Sequence, residues 1–307
     1  MRNGRTDLVW PLRIEGIIYE CQPMIQLMNN ASLKTSSLKI PGGTMHYYRL
    51  GCGKKHILML HGRSENGLCW LRTADKLKQN YTIIMPDGRG HGLTRAESRR
   101  FDLSLLVEDY ELLIEHFNFR ELMLAGHSMG AGIAAILAGR YPGIVRKLVL
   151  LDPPWLMDGD YLEGDQSLVR RMRRFIEHQR QLSMDSLAAF ISLMHPAWQQ
   201  SECRQLAQAW QQMSLDVAIS FNSPVPVKQW QDSVCRIKAA TLLYTGDPVK
   251  GAIVKKDVVG YLKAHMSNLT HIFLPESGHA LSRDCFDAYF RHLKSFLACR
   301  HNLPQRC

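Results

Sequence analysis

The sequence predicts an α/β protein built on a doubly wound, mostly parallel sheet, with a helical block inserted late in the chain. Three observations carry this. Short apolar runs recur between longer amphipathic ones, most of those runs lack polar alternation, and the rhythm breaks over residues 153–235. Strands buried on both faces read as continuous apolar runs, and strand–helix alternation places such strands in one parallel sheet.

Residues 1–35 show no period and read as an irregular arm. The strands follow as HILML (56–60), YTIIM (81–85), ELMLAG (121–126), KLVLLD (147–152), ATLLYTG (240–246) and THIFLP (270–275), each with strand-like length and flanks. Three helical patterns lie between or after them. LSLLVEDYELLIEHF (103–117) brings Leu105, Leu106, Asp109, Leu112, Leu113 and His116 on or near one stripe. MGAGIAAILAGRY (129–141) is rich in small helix formers, and DCFDAYFRHLKSFLA (284–298) repeats aromatic and leucine positions at three-to-four spacing. Residues 153–235 are helical in composition, with tryptophans at 155, 198, 210 and 230 and no strand signal. The division expected is therefore a core of 36–152 and 236–307, with 153–235 as a cap.

Composition narrows the function. With 307 residues, 46% of them hydrophobic, the chain can bury one large core or a core with an insertion. The formal charge of +10 favours anionic surroundings, but only Arg170, Arg171, Arg173 and Arg174 cluster, and they read as a solvated helix face. No aromatic and basic residues interleave, so no nucleic-acid partner is expected. The eight cysteines are scattered, without a C-x-x-C pair or zinc-like spacing, which suits a reducing compartment. No apolar run reaches the ~18 residues of a membrane span, and MRNGRTDLVWPLRIEG is too broken for a signal peptide. The expectation is a cytoplasmic protein without an integral membrane segment, acting on a small-molecule substrate, with its oligomeric state open.

The chemistry starts from LAGHSMGAG (124–132), between a strand-like run and an alanine-rich helix. A strand that hands over to a helix in one sharp turn strains its central residue, and side chains two positions away on either side would collide there. Gly126 and Gly130 are what that geometry demands, and Ser128 is thrust clear of the sheet at the positive end of the helix. A serine hydroxyl is a weak nucleophile until a base takes its proton. His279, in PESGHAL, and Asp247, in YTGDPV, each follow a predicted strand, so both fall on the sheet edge that holds Ser128.

With LHGRSENG (60–67), PDGRGHG (86–92), GHSMG (126–130), TGDP (245–248) and SGHA (277–280), the chain resembles the α/β-hydrolase fold superfamily over residues 36–298. The resemblance implies a Ser–acid–His order and a helical cap after the sixth strand; the acyl-enzyme chemistry requires no cofactor, and without an H-E-x-x-H or comparable ligand set no catalytic metal is expected. It also implies an oxyanion hole from the backbone N–H groups of Met129 and, from the loop after Gly62, Arg63. Relatives often carry the acid three residues after the glycine of the TGDP turn, where this chain has Val249. Asp247 is placed first as the acid, Asp152 remains its competitor because some relatives draw the acid from that strand, and Glu276 comes third. Trp155 is the candidate for contact with substrate, whereas Trp198, Trp210, Trp230, Met157, Met194 and Met213 read as cap core. His127 is expected to pack or hydrogen-bond locally, and His61 and His91 to tie loops together.

The activity implied is that of a serine hydrolase cleaving an ester-type bond of a small, largely apolar substrate through an acyl-enzyme. A carbon–carbon bond hydrolase, a lactonase or amidase on the same triad, and a non-catalytic ligand-binding protein on the scaffold remain as alternatives. Dehalogenase and epoxide-hydrolase chemistry fit poorly, because those relatives carry aspartate where Ser128 stands.

Overall fold

The computed structural model describes residues 33–97, 103–157, 166–222 and 227–299. The arm assigned to residues 1–35 lies almost entirely outside them. Nine strands form one sheet: β1 (Lys34–Ile40), β2 (Gly43–Leu50), β3 (Lys55–Leu60), β4 (Tyr81–Pro86), the two-residue β5 (Arg95–Ala96), β6 (Leu122–His127), β7 (Val145–Leu151), β8 (Ala240–Gly246) and β9 (Leu269–Leu274). Their order is β1-β2-β4-β3-β6-β7-β8-β9, with β5 paired to β2. From β4 to β9 every neighbour is parallel. The strands β1 and β2 add an antiparallel edge.

Local physics explains the elements. Every residue of YTIIMP in β4 and of ATLLYTG in β8 is buried, so these strands have no polar face to alternate. The helix α2 (Leu103–Phe117) follows α1 (Leu71–Leu77) and buries Leu106, Val107, Tyr110, Leu113 and Ile114. Asp109 is buried with them, where Arg89 clamps its carboxylate from Nε (2.9 Å) and Nη2 (2.8 Å). The helix α3 (Met129–Arg140) is buried over ten consecutive residues, which only its small side chains allow at this packing distance.

Between β7 and β8 lie α4 (Gln166–Gln181), α5 (Met184–Met194), α6 (Gln200–Gln212), a 3₁₀ segment (Leu215–Asn222) and α7 (Val227–Val234). The insertion is not a separate layer throughout. Trp155, Ile176, Met213, Val217 and Trp230 join the main core, while Leu187, Ile191, Trp198, Cys203 and Leu206 form a smaller cluster between α5 and α6. After β8 come α8 (Lys256–His265), α9 (Leu281–Asp284) and α10 (Phe286–Ala298). The Lys147 ammonium closes the end of α10 by donating to the carbonyls of Phe296, Leu297 and Cys299 at 2.7–2.8 Å. Among the described residues no helix is long and apolar enough to cross a membrane.

Candidate active site

Ser128 stands between β6 and α3 with φ 51° and ψ −119°, a conformation that L residues rarely adopt. Its amide donates to the Leu151 carbonyl at 2.9 Å, pinning the turn to the end of β7. The flanking glycines are sterically required. A Cβ on Gly126 would lie 2.2 Å from the Gly130 carbonyl oxygen, and one on Gly130 would lie 2.3 Å from that of Leu60. The serine side chain lines a cavity of about 590 Å³, as does His279 from the loop after β9.

The partner of His279 differs from the expected one. Its Nδ1 lies 2.6 Å from Oδ2 of Asp152, a fully buried residue at the end of β7. That carboxylate also accepts the amides of Ile253 (2.8 Å) and Val254 (2.9 Å). It is an acceptor on every side, so the proton between ring and carboxylate sits on Nδ1, and in the neutral ring Nε2 then carries the lone pair. Asp152 also has positive φ, at 43°, which turns it off the sheet axis. Asp247 is engaged elsewhere. Its side chain accepts the Val249 amide at 2.9 Å and caps the short turn Pro248–Lys250, where Val249 points into solvent. A cap consumes the carboxylate locally, and the pairing expected between Asp247 and His279 is not found.

The expected oxyanion donors lie next to the serine and in the loop after β3. Met129 is the first residue of α3, where a backbone N–H has no partner within the helix. Gly62 and Arg63 both line the cavity. The Gly62 carbonyl is occupied by His61 Nδ1 (2.7 Å) and the Glu65 amide (3.1 Å). In a planar trans peptide the N–H of Arg63 therefore points the opposite way. Trp155 differs from expectation. It is 1% exposed, stacked on Trp230 with ring centroids 5.3 Å apart, and packed into the main core rather than against the cavity. The apolar walls are instead Pro154, Trp198, Leu206, Ile253 and Ala280.

His61 and His91 tie loops, as their glycine-rich settings suggest. The Gly88 amide donates to His61 Nε2 at 2.8 Å. Burial pushes His91 down to about 3, so its neutral ring lies between the carbonyls of Arg89 and Arg63 and donates to one at a time. His127 is not bonded locally. Its Nδ1 meets Glu65 Oε2 at 2.9 Å and its Nε2 meets the His279 carbonyl at 2.9 Å. Glu65, Arg283 and Asp284 also line the cavity and escape sequence reasoning, because their partners are distant in sequence. Arg283 Nη1 donates to Glu65 Oε1 at 2.6 Å, and Asp284 accepts the Trp198 indole N–H at 2.8 Å.

Comparison with known proteins agrees with this architecture. The family described as the alpha/beta hydrolase fold matches residues 55–282. The mouse serine hydrolase BPHL is 23% identical over 303 residues, covering 94% of each chain. Human epoxide hydrolase 4 is 32% identical over 120 residues, 38% of this chain and 33% of that one. The first curated relatives, such as an uncharacterised protein of Mycobacterium tuberculosis (30% over 113 residues), are likewise matched over only 33% of their length, from 35% of this chain. Among solved structures, the N-formylmaleamic acid deformylase of Pseudomonas putida S16 superposes with a TM-score of 0.71 at 18% identity, over 85% of this chain and 100% of that one. The thioesterase domain from the curacin biosynthetic pathway gives 0.72 at 20% identity, over 86% and 99%. The chain belongs to the α/β-hydrolase fold family.

Proposed function

We propose that the protein is a serine hydrolase that cleaves an ester-type bond in a small, largely apolar substrate through an acyl-enzyme. The observation that carries the reading is the 2.6 Å contact between His279 and Asp152, beside a serine held at positive φ on the same cavity. Asp152 takes the role first assigned to Asp247.

In this reading Ser128 Oγ attacks the substrate carbonyl while His279 Nε2 takes its proton. Asp152 keeps the imidazole in the tautomer that makes Nε2 the base, and stabilises the imidazolium as it forms. The N–H groups of Met129 and Arg63 receive the developing oxyanion, where each such donor is worth about a hundredfold or more in rate. His279 returns the proton to the leaving alcohol, and water, activated by the same imidazole, releases the acid. The apolar walls Pro154, Trp198, Leu206 and Ile253 support an uncharged acyl or leaving group.

Turnover of a graded series of p-nitrophenyl esters tests this, with a fluorophosphonate probe as a second readout. The wild-type protein should hydrolyse a short ester and be labelled at Ser128, and Ser128→Ala should lose both while melting normally. Undiminished turnover by Ser128→Ala would refute the assignment. Failure of the wild type to label or turn over any ester, lactone or amide would favour a ligand-binding protein on this scaffold.

A further inference from the structure

Glu65 occupies the centre of a buried polar cluster at the back of the cavity. Its Oε2 accepts the Gly62 amide at 2.8 Å and His127 Nδ1 at 2.9 Å, and its Oε1 accepts Arg283 Nη1 at 2.6 Å. His127 then reaches the His279 carbonyl with Nε2 at 2.9 Å. Both ring nitrogens of His127 face oxygen acceptors, and a neutral imidazole can donate to only one of them. Burial opposes protonation of the ring, but the adjacent Glu65 carboxylate outweighs it and raises the His127 pKa. Burial likewise opposes ionised Glu65, and His127 and Arg283 outweigh it, holding the carboxyl well below its usual range.

We propose that Glu65, acting through His127, is the positioning residue that locks the base loop and the oxyanion loop in register with Ser128. The inference rests on the acyl-transfer reading above. The contacts span four segments of chain. Gly62 precedes the proposed oxyanion donor Arg63, His127 precedes the proposed nucleophile, His279 is the proposed base, and Arg283 belongs to α9. One carboxylate thus ties together the backbone on which each reacting group is mounted. Catalytic geometry tolerates little slack, because displacement of a reacting group by about 1 Å can cost a hundredfold in rate. A purely structural role would not require ions, since apolar side chains of similar volume fill a core at least as favourably.

The experiment compares wild type with Glu65→Gln, His127→Gln and the double variant, using an ester that the wild type turns over and following melting alongside. Each single variant should lose about 10- to 100-fold in kcat with KM changed less than about threefold, and fluorophosphonate labelling of Ser128 should slow in parallel. The double variant should be no slower than the worse single variant, because both residues act along one path. Multiplicative losses, or folded variants with wild-type kcat, would overturn the proposal. If Glu65→Gln does not fold, His127→Gln alone gives the measurement, since it removes the ring nitrogen that ties His127 to Glu65 and so breaks the bridge from that carboxylate to the His279 carbonyl. The two ideas fail separately. A wild-type protein that does not label sinks the acyl-transfer reading and this inference with it. Variants that label as fast as a labelled wild type sink the positioning role alone.

Discussion

His279 Nδ1 and Asp152 Oδ2 meet at 2.6 Å although 127 residues separate them in the chain. The contact is made where β7 ends and the loop after β9 folds back over it. The carboxylate is held from behind by the amides of Ile253 and Val254, so it cannot swing away from the ring. An orienting acid needs both properties: a fixed position and lone pairs aimed at the imidazole. Asp247 has neither toward His279.

The two aspartates therefore separate in a kinetic test. Asp152→Asn keeps the size of the side chain but lets the amide favour the wrong imidazole tautomer, and kcat should fall by about 10⁴-fold. Asp247→Asn retains an oxygen that can cap the Val249 amide and should stay within about threefold of wild type. Steady-state hydrolysis of one ester by both variants decides it. A severe loss in Asp247→Asn with an active Asp152→Asn would reverse the assignment.

The elbow gives a second prediction. Because a methyl on Gly130 would press to 2.3 Å against the Leu60 carbonyl, and backbone rather than a flexible side chain receives it, β3 and α3 would have to part. Gly130→Ala should lose about 1–3 kcal/mol or more of stability, the usual scale for an overpacked core. Chemical denaturation measures this. Gly143, whose added Cβ meets nothing within 4 Å, supplies the control: Gly143→Ala should leave stability almost unchanged.

How much of this was legible in the sequence depends on where each signal is written. The inner parallel strands are buried on both faces, so each announces itself as an apolar run, whereas β9 lies at the sheet edge and is only partly buried; the elbow glycines announce themselves by spacing. The hairpin of β1 and β2 does not. KTSSLKI is exposed along most of its length and carries little apolar content, so nothing local distinguishes it from a loop. The proposed acid is illegible for another reason. Asp152 and Asp247 both follow strands, and what separates them is the wrapping of Ile253–Val254 around one of them, a contact about 100 residues away. A short turn beginning Asp-Pro was the available hint that Asp247 serves as a cap. The Glu65 cluster left no local trace, because its partners lie 62 and 218 residues apart.

The raised pKa of His127 makes stability depend on pH with a definite sign. A histidine whose folded pKa exceeds its unfolded value of ~6.5 binds its proton more tightly in the native state. Its contribution is therefore complete below that unfolded value and is lost as pH rises through the folded value. Denaturation of wild type and His127→Gln across pH 5–9 should show the widest gap at the acid end, narrowing as the medium turns alkaline. A gap that is flat, or that widens with pH, would mean that the ring is neutral in the native state. Glu65 works in the opposite sense. Its depressed pKa contributes above the normal carboxylate range and is lost as pH falls toward the folded value, so acid unfolding of Glu65→Gln should be shallower than that of wild type.

Two of the four tryptophans of the insertion, Trp155 and Trp198, should likewise part company. Trp155 stacks on Trp230 at 15° between ring planes, its buried indole N–H has no hydrogen-bond partner among the described residues, and it is not among the residues lining the cavity. Replacing it by phenylalanine keeps an aromatic stack and removes an unsatisfied donor, so the change in stability should be small and KM unmoved. Trp155→Ala empties the site and should cost about 3–5 kcal/mol, again without a specific effect on KM. Trp198 forms part of the cavity wall, stacked on His195 at 3.9 Å and hydrogen-bonded to Asp284. Trp198→Ala removes apolar surface from the proposed acyl or alcohol pocket and should lower kcat/KM for a favoured ester by about tenfold or more. The loss should shrink for esters whose acyl chain is too short to reach the wall. A chain-length series on wild type and Trp198→Ala, with Trp155→Phe beside them, checks both assignments. Equal losses at every chain length would show that Trp198 acts through the fold rather than through contact with substrate.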